Sequence, residues 1–396
     1  SQRQADDGRL SEAESLLNEA CENLPGEGRL QQALIRFYLD NQRFEDASRQ
    51  RCQLAGMFLK EGNSDAAIQE LNEALTHAPD PVEVMERLTA LYQEVGLVQG
   101  QIEILRRLAL QYQRQHRLTE LVETCERVLR LMPGDVDTLR QLSETLFSME
   151  EIEKACLISA ELGQVHQDAG RFREAVEVYR RILKNQPGQV EVRRSLIESL
   201  IGCGSEEEAV REMAGLSRQL MTDGNTEEAL ELYDRALTLR ERDPHLLRDY
   251  ADALKSSGRS EQALSRYLEL AGLYEQNQMP ERAVESLKAA EGLAPENTSI
   301  SLRLAELFYQ EGAKHSAVEL LAGLARRLKA ESKPAQAREI LSRLVEMDSM
   351  NLPGRMQLAE ILEQQGQSEQ ASIEYLRIAG VYVEQGEYAK AEQALT

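Results

Sequence analysis

The residues able to carry chemistry are few and scattered. Five cysteines, Cys21, Cys52, Cys125, Cys156 and Cys203, stand far apart with no CxxC spacing. They read as small apolar residues of a reducing, cytoplasmic compartment and not as a disulfide framework. Five histidines, His77, His116, His166, His245 and His315, form no HExxH and no zinc-type pairing with cysteine, so no metal site is expected. Gly202 and Gly204 in GCGSEE lack the third glycine and the preceding strand of a dinucleotide loop, and neither a phosphate-binding GxxxxGK nor a GxSxG elbow occurs. Glu206, Glu207 and Glu208 suit the start of a helix, where the dipole favours negative charge, better than a general acid and base. Asn297, Thr298 and Ser299 spell a glycosylation sequon at a corner, a match short enough to arise by chance. The sequence therefore predicts no catalytic residue, no cofactor, no metal and no enzyme.

Charge narrows the partners. With 46 basic against 68 acidic residues the chain carries a formal charge of −22, which argues against nucleic acid and anionic membrane as main partners and leaves other proteins. Two runs depart from this balance. Seven Lys or Arg face three Glu between Arg171 and Arg194, and six face two between Arg326 and Arg343. Each is either a solvated helix face or a docking surface for an acidic partner segment.

The elements that must position such surfaces are helices arranged in a repeat. Pro25, Pro79, Pro133 and Pro187 are equally spaced, and Pro295 lies two further steps of the same length beyond. Gly96, Gly204, Gly258, Gly312 and Gly366 keep this spacing at one corner, and Gly8, Gly62, Gly170, Gly224 and Gly386 at another. Between corners, apolar residues recur at helical spacing, as in Leu162, Val165, Ala169 and Phe172, then Ala175, Val178, Tyr179 and Ile182. Gly163 and Ala175 are small where two helices must come close, and Pro187 cannot continue a helix. No sustained alternation suggests a strand.

Within the stretch from Cys156 to Gln189, Leu162, Gly163, Gly170, Ala175, Tyr179, Ile182, Leu183 and Pro187 fall at the places of a 34-residue block that resembles a tetratricopeptide repeat. Each 54-residue unit divides into 20 plus 34, both parts carrying the pattern, so that a segment such as Ser205 to Asp223 serves two hairpins at once. The resemblance implies an all-α fold: a right-handed superhelical α-solenoid with about three helices per 54-residue unit, the middle one about 16 to 18 residues and about 25 Å long. The units run 28–81, 82–135, 136–189, 190–243, 244–297 and 298–351, with partial ones at 1–27 and 352–396, as one continuous solenoid expected to be a fragment of a longer protein. The unit 82–135 departs most, with Gln101 and Leu121 where others carry Ala and His116 where most carry a corner Gly. Its helices are expected to approach less closely.

In the family, the first helix of each hairpin lines a concave groove. Carried over residue by residue, the groove-facing places give Arg140 and Glu144, Arg194 and Glu198, Ala214 and Arg218, and Arg248 and Asp252. The twelfth place gives Leu39, Leu59, Phe147, Ile201, Met221, Tyr309 and Val383. The candidate protein-binding set is Arg140, Glu144, Phe147, Arg194, Glu198, Ile201, Arg218, Met221, Arg248 and Asp252, with its apolar members facing either water or, if the 20-plus-34 geometry turns them, the interior. Taken as solvent-facing, Phe147→Ala costs about 0.5 kcal/mol of stability or less. The Lys and Asn pattern that clamps chaperone tails is absent. The resemblance implies a protein–protein interaction scaffold, of the kind that in bacteria organises polarity, motility, secretion or envelope machinery and contacts a small GTPase or pilus component. The alternative is the substrate-recognition arm of a larger enzyme.

Overall fold

The computed structural model describes residues 2–24 and 27–395, with side chains from Ser11 onward. Pro25 and Thr396 lie outside them. All regular structure among these residues is helical, and the helices fall into two compact units, Ser1–Gly204 and Ser205–Thr396.

In the first unit α1 (Gln2–Asn23) precedes a triad, α2 (Gly28–Asp40), α3 (Phe44–Lys60) and α4 (Ser64–His77). The triad recurs as α5 (Val82–Val95), α6 (Val98–Arg114) and α7 (Leu118–Leu131), then α8 (Val136–Ser148), α9 (Ile152–Asp168) and α10 (Phe172–Asn185), and opens again with α11 (Val190–Gly202). The second unit continues with α12 (Glu206–Thr222), α13 (Thr226–Leu239), α14 (Pro244–Ser256), α15 (Ser260–Gln276), α16 (Pro280–Leu293), α17 (Thr298–Gln310), α18 (Lys314–Ala330), α19 (Pro334–Met347), α20 (Leu352–Gln364), α21 (Ser368–Glu384) and α22 (Tyr388–Gln393). The first helix of a triad has 13 or 14 residues, the second 17 and the third 14, as in α5 to α8, and the series returns at the period read from the prolines. The longest member is the middle one, about 25 Å from end to end. α12 runs unbroken through Ala209, with Glu206, Glu207 and Glu208 in its first turn, where they complement the dipole.

Within each compact unit, consecutive helices pack on one another across corners of two to four residues, which makes them antiparallel hairpins. The fourth residue of the middle and third helices is small and fully enclosed in most units. Ala47, Ala155, Ala209, Ala263 and Ala317, and Ala67, Ala175, Ala229, Ala283 and Ala337, are all 0% exposed. Gln101 and Leu121 hold the same places in the unit 82–135 and are buried too. Gly100 gives room beside them, since a Cβ there would lie 3.0 Å from the Tyr92 ring.

Corner glycines adopt the left-handed conformation that L side chains avoid, as at Gly96 (φ 77°) and Gly170 (φ 69°). Where the sequence carries no glycine the backbone takes that conformation anyway, at Gln42, His116, Glu150, Gln278 and Ser332. The repeat geometry, not the residue, dictates the corner. The converse holds at Gly8, where a corner was expected and α1 instead runs straight through. Glycine permits a turn without enforcing one. Pro79, Pro133, Pro187 and Pro295 each lie two residues past a helix end, and Pro280 and Pro334 open α16 and α19. Asn297 caps α17 by accepting from the Ser299 N–H, which gives the sequon a structural use.

Candidate partner-binding surface

Six of the ten candidate residues lie in the first unit, on α8 and α11. Arg140 and Glu144 are exposed on α8 and Glu198 on α11, while Arg194 is half-buried with its Nε 3.5 Å from Glu191. Phe147 and Ile201 are half-buried. Phe147 packs against the core cluster that includes Leu142 and Leu146, and the Arg181 guanidinium covers its ring at 4.0 Å. The other four lie in the second unit. Arg218 is exposed on α12 and stands 3.9 Å from Asp249, and Met221 is half-buried. Arg248 on α14 donates to the Tyr274 hydroxyl at 3.3 Å, and exposed Asp252 accepts from the Tyr267 hydroxyl. These polar groups form a local network. Burial raises the Asp249 carboxyl, opposed by Arg218 and reinforced by Asp252. The Tyr267 phenol is raised by burial and then by Asp252, and burial pushes Tyr233 up to about 12.

The apolar twelfth place is therefore not uniformly solvent-facing. Leu39 and Tyr309 pack against core clusters, whereas Leu59 and Val383 are exposed. The half-buried Leu39, Phe147, Ile201 and Tyr309 lie on the first helices of their triads, whereas exposed Leu59 and Val383 lie on middle helices.

The two basic runs also separate. In the run Arg326–Arg343, Lys329 pairs with Glu360 at 2.8 Å, Arg343 with Glu306 at 2.7 Å, and Arg338 donates to Gln365 and Gln367. These side chains tie neighbouring helices together. In the run Arg171–Arg194, Arg181 lies on Phe147 and Arg193 donates to the Pro187 carbonyl at 3.1 Å.

Sequence reasoning passed over exposed leucines in the middle of helices, among them Leu110 on α6 (52% exposed) and Leu157 on α9 (67%). The signal was available by comparing units. Leu110 holds the place of Gly56, Gln164, Arg218, Gly272, Arg326 and Gly380, and Leu157 that of Arg49, Glu103, Arg211, Ser265, Glu319 and Ile373. Leu157 borders a slot of about 270 Å³ floored by Cys156, Ala160, Ile182 and Val192. Among the described residues no cluster of His, Cys, Asp or Glu could hold a metal ion, and no helix is long and apolar enough to cross a membrane. Cys21, Cys52, Cys125 and Cys156 are buried, unpaired thiols, and burial pushes Cys125 up to about 12.

Repeated helical hairpins with buried small residues at most crossings define a helical-repeat protein. Residues 101–272 match one family model described as tetratricopeptide repeat, and residues 268–327 match another of the same description. The chain belongs to the tetratricopeptide-repeat family. No curated protein matches it. A solved structure of Naa15/Naa10 bound to HypK-THB aligns with 99% of this chain and 77% of that one, at 13% identity and a TM-score of 0.19.

Proposed function

We propose that the protein is a scaffold that binds other proteins along the faces of its helical units. The observation that carries this reading is the pair Leu110 and Leu157. Both are exposed apolar side chains in mid-helix, at places where most other units present a charged or polar residue or glycine. An apolar side chain held in water by a well-formed helix gains nothing for the fold and is available as an anchor to a partner. Membership of a repeat family whose members bind proteins supports the same reading, and the buried unpaired thiols fit a reducing compartment.

The test is affinity capture from the native cells, comparing the wild type with Leu110→Glu and Leu157→Glu. Both positions are exposed enough that stability should change by about 0.5 kcal/mol or less. At least one captured protein should be lost from one of the variants. Identical captured sets from all three forms would overturn the reading.

A further inference from the structure

His166 stands at a place on the middle helix where other units carry Phe58, Tyr112, Leu220, Tyr274, Leu328 and Tyr382. Two of those units show what the tip of such a ring meets. The Tyr112 hydroxyl donates to Glu86 at 3.1 Å, and Arg248 donates to the Tyr274 hydroxyl at 3.3 Å. Glu86 and Arg248 hold one place on their first helices, and on α8 that place belongs to Arg140. Arg140 is thereby set against the His166 ring. The corner after α9 brings a second cation. Arg171 gives its backbone N–H to the His166 carbonyl at 2.8 Å, as Arg43 and Arg117 do to the carbonyls of Tyr38 and Tyr112. In both of those cases the guanidinium lies over the ring, 4.7 Å from its centroid.

This cluster is short of an anion. At the matching places Arg248 has Glu285 at 3.6 Å, and Arg117 has Glu120 at 2.7 Å. The equivalent acids here, Glu177 and Glu174, form no ion pair with Arg140 or Arg171. Both arginines are exposed, and neither side chain has an ion-pair or hydrogen-bond partner among the described residues. His166 lies beneath them at 2% exposure, and its Nδ1 is likewise unpartnered among the described residues. Arg171 and Arg140 oppose protonation of the ring, and Glu174 at the start of α10 favours it. An anion held by the two arginines would reverse that balance.

We propose that Arg140 and Arg171 hold a phosphate group, and that His166 takes up a proton from water as the group binds. Two guanidinium forks match the several oxygens of a phosphate, and its charge answers both arginines where a carboxylate would answer one. The ligand is the phosphate itself, free or carried on a phosphorylated side chain of another protein. The site does not depend on Leu110 or Leu157.

The probe is sulfate, a tetrahedral dianion with no proton of its own to exchange near neutral pH, titrated into the protein in a calorimeter. Wild-type protein should bind it saturably, and about tenfold more tightly at about pH 5.5 than at about pH 7.5, on either side of the ordinary histidine value. His166→Leu, which copies Leu220 and Leu328, should lose most of that pH dependence. Arg140→Glu, which copies Glu86 at an exposed place, and Arg171→Gln should each weaken sulfate at the lower pH by about tenfold or more. Lack of saturable binding, undiminished affinity in both arginine variants, or full pH dependence in His166→Leu would sink the proposal. Inorganic phosphate and a phosphoserine nonapeptide then separate the two sources. A peptide bound at least tenfold more tightly than phosphate assigns the site to a phosphorylated protein, and equal affinity assigns it to free phosphate.

Discussion

A Cβ added to Gly163 would lie 2.5 Å from Cε1 of Tyr179, whose ring is only 2% exposed. The glycine on α9 is thus the imprint of a tyrosine on α10. Gly163→Ala gains about 1 kcal/mol of helix propensity and loses about 1–3 kcal/mol to overpacking. The ring is enclosed and cannot swing aside, so a net loss of about 1–2 kcal/mol is expected in urea unfolding. Gly56, in α3, has nothing within 4 Å of such a Cβ. There the propensity term acts alone, and Gly56→Ala should gain about 0.5–1 kcal/mol.

The corners supply an opposite pair. Glu150 and His116 sit at φ 61° and 56°, where a side chain is strained. Glu150→Gly and His116→Gly should each raise stability by about 1 kcal/mol, and Gly170→Ala should lower it by about as much. Thermal melts of the three variants check this, with the first two melting above the wild type.

Phe147 is better placed to hold α8 against its neighbours than to meet a partner. Because it is half-buried and covered by Arg181, Phe147→Ala should cost about 2 kcal/mol, well above the cost of an exposed site. A double-mutant cycle with Arg181→Ala should show a coupling of about 0.5–1 kcal/mol from the cation over the ring. A coupling of zero would mean that the two side chains do not meet in solution.

His166 makes the protein sensitive to mild acid. It is 2% exposed, and its Nδ1 has no hydrogen-bond partner among the described residues. Burial, then Arg171 and, more weakly, Arg140 hold its pKa below the ordinary 6.5, against Glu174. The unfolded chain then binds the proton before the folded one does. Above pH 6.5 both states are neutral at this side chain and nothing is lost; as pH falls through 6.5 toward the depressed folded value, stability declines. Urea midpoints at about pH 7.5 and pH 5.5, on either side of the ordinary histidine value, should differ more for the wild type than for His166→Gln.

The helices and their period were legible because they depend on local rules: apolar spacing, Ala at most crossings, Gly and Pro at most corners. What the sequence hid was anything decided by a third helix. Phe147 and Val383 hold the same place in the pattern, yet one packs inward and the other is exposed. A rule for isolated hairpins cannot distinguish them. Corners without glycine were equally hidden, since Glu150 adopts its conformation only because α8 and α9 are already packed. The cluster at His166 was legible in principle, but only by setting Tyr112 and Glu86 beside His166 and Arg140, a comparison across units that no single motif prompts.

Three antiparallel helices per repeat is an odd number, and this reverses polarity from one repeat to the next. In the first compact unit α3, α6 and α9 are equivalent in sequence, but α6 points opposite to its two counterparts. The positive dipole ends of α3 and α9 therefore emerge on one edge of the stack and that of α6 on the other. Matching residues of adjacent repeats sit on opposite edges, and only those of alternate repeats share one. The hollow of about 610 Å³ lined by Ser48, Cys52 and Val84 lies two repeats before its counterparts Cys156, Ala160 and Val192 in the slot. Along one edge of this unit the residues presented by matching places therefore come from every second repeat.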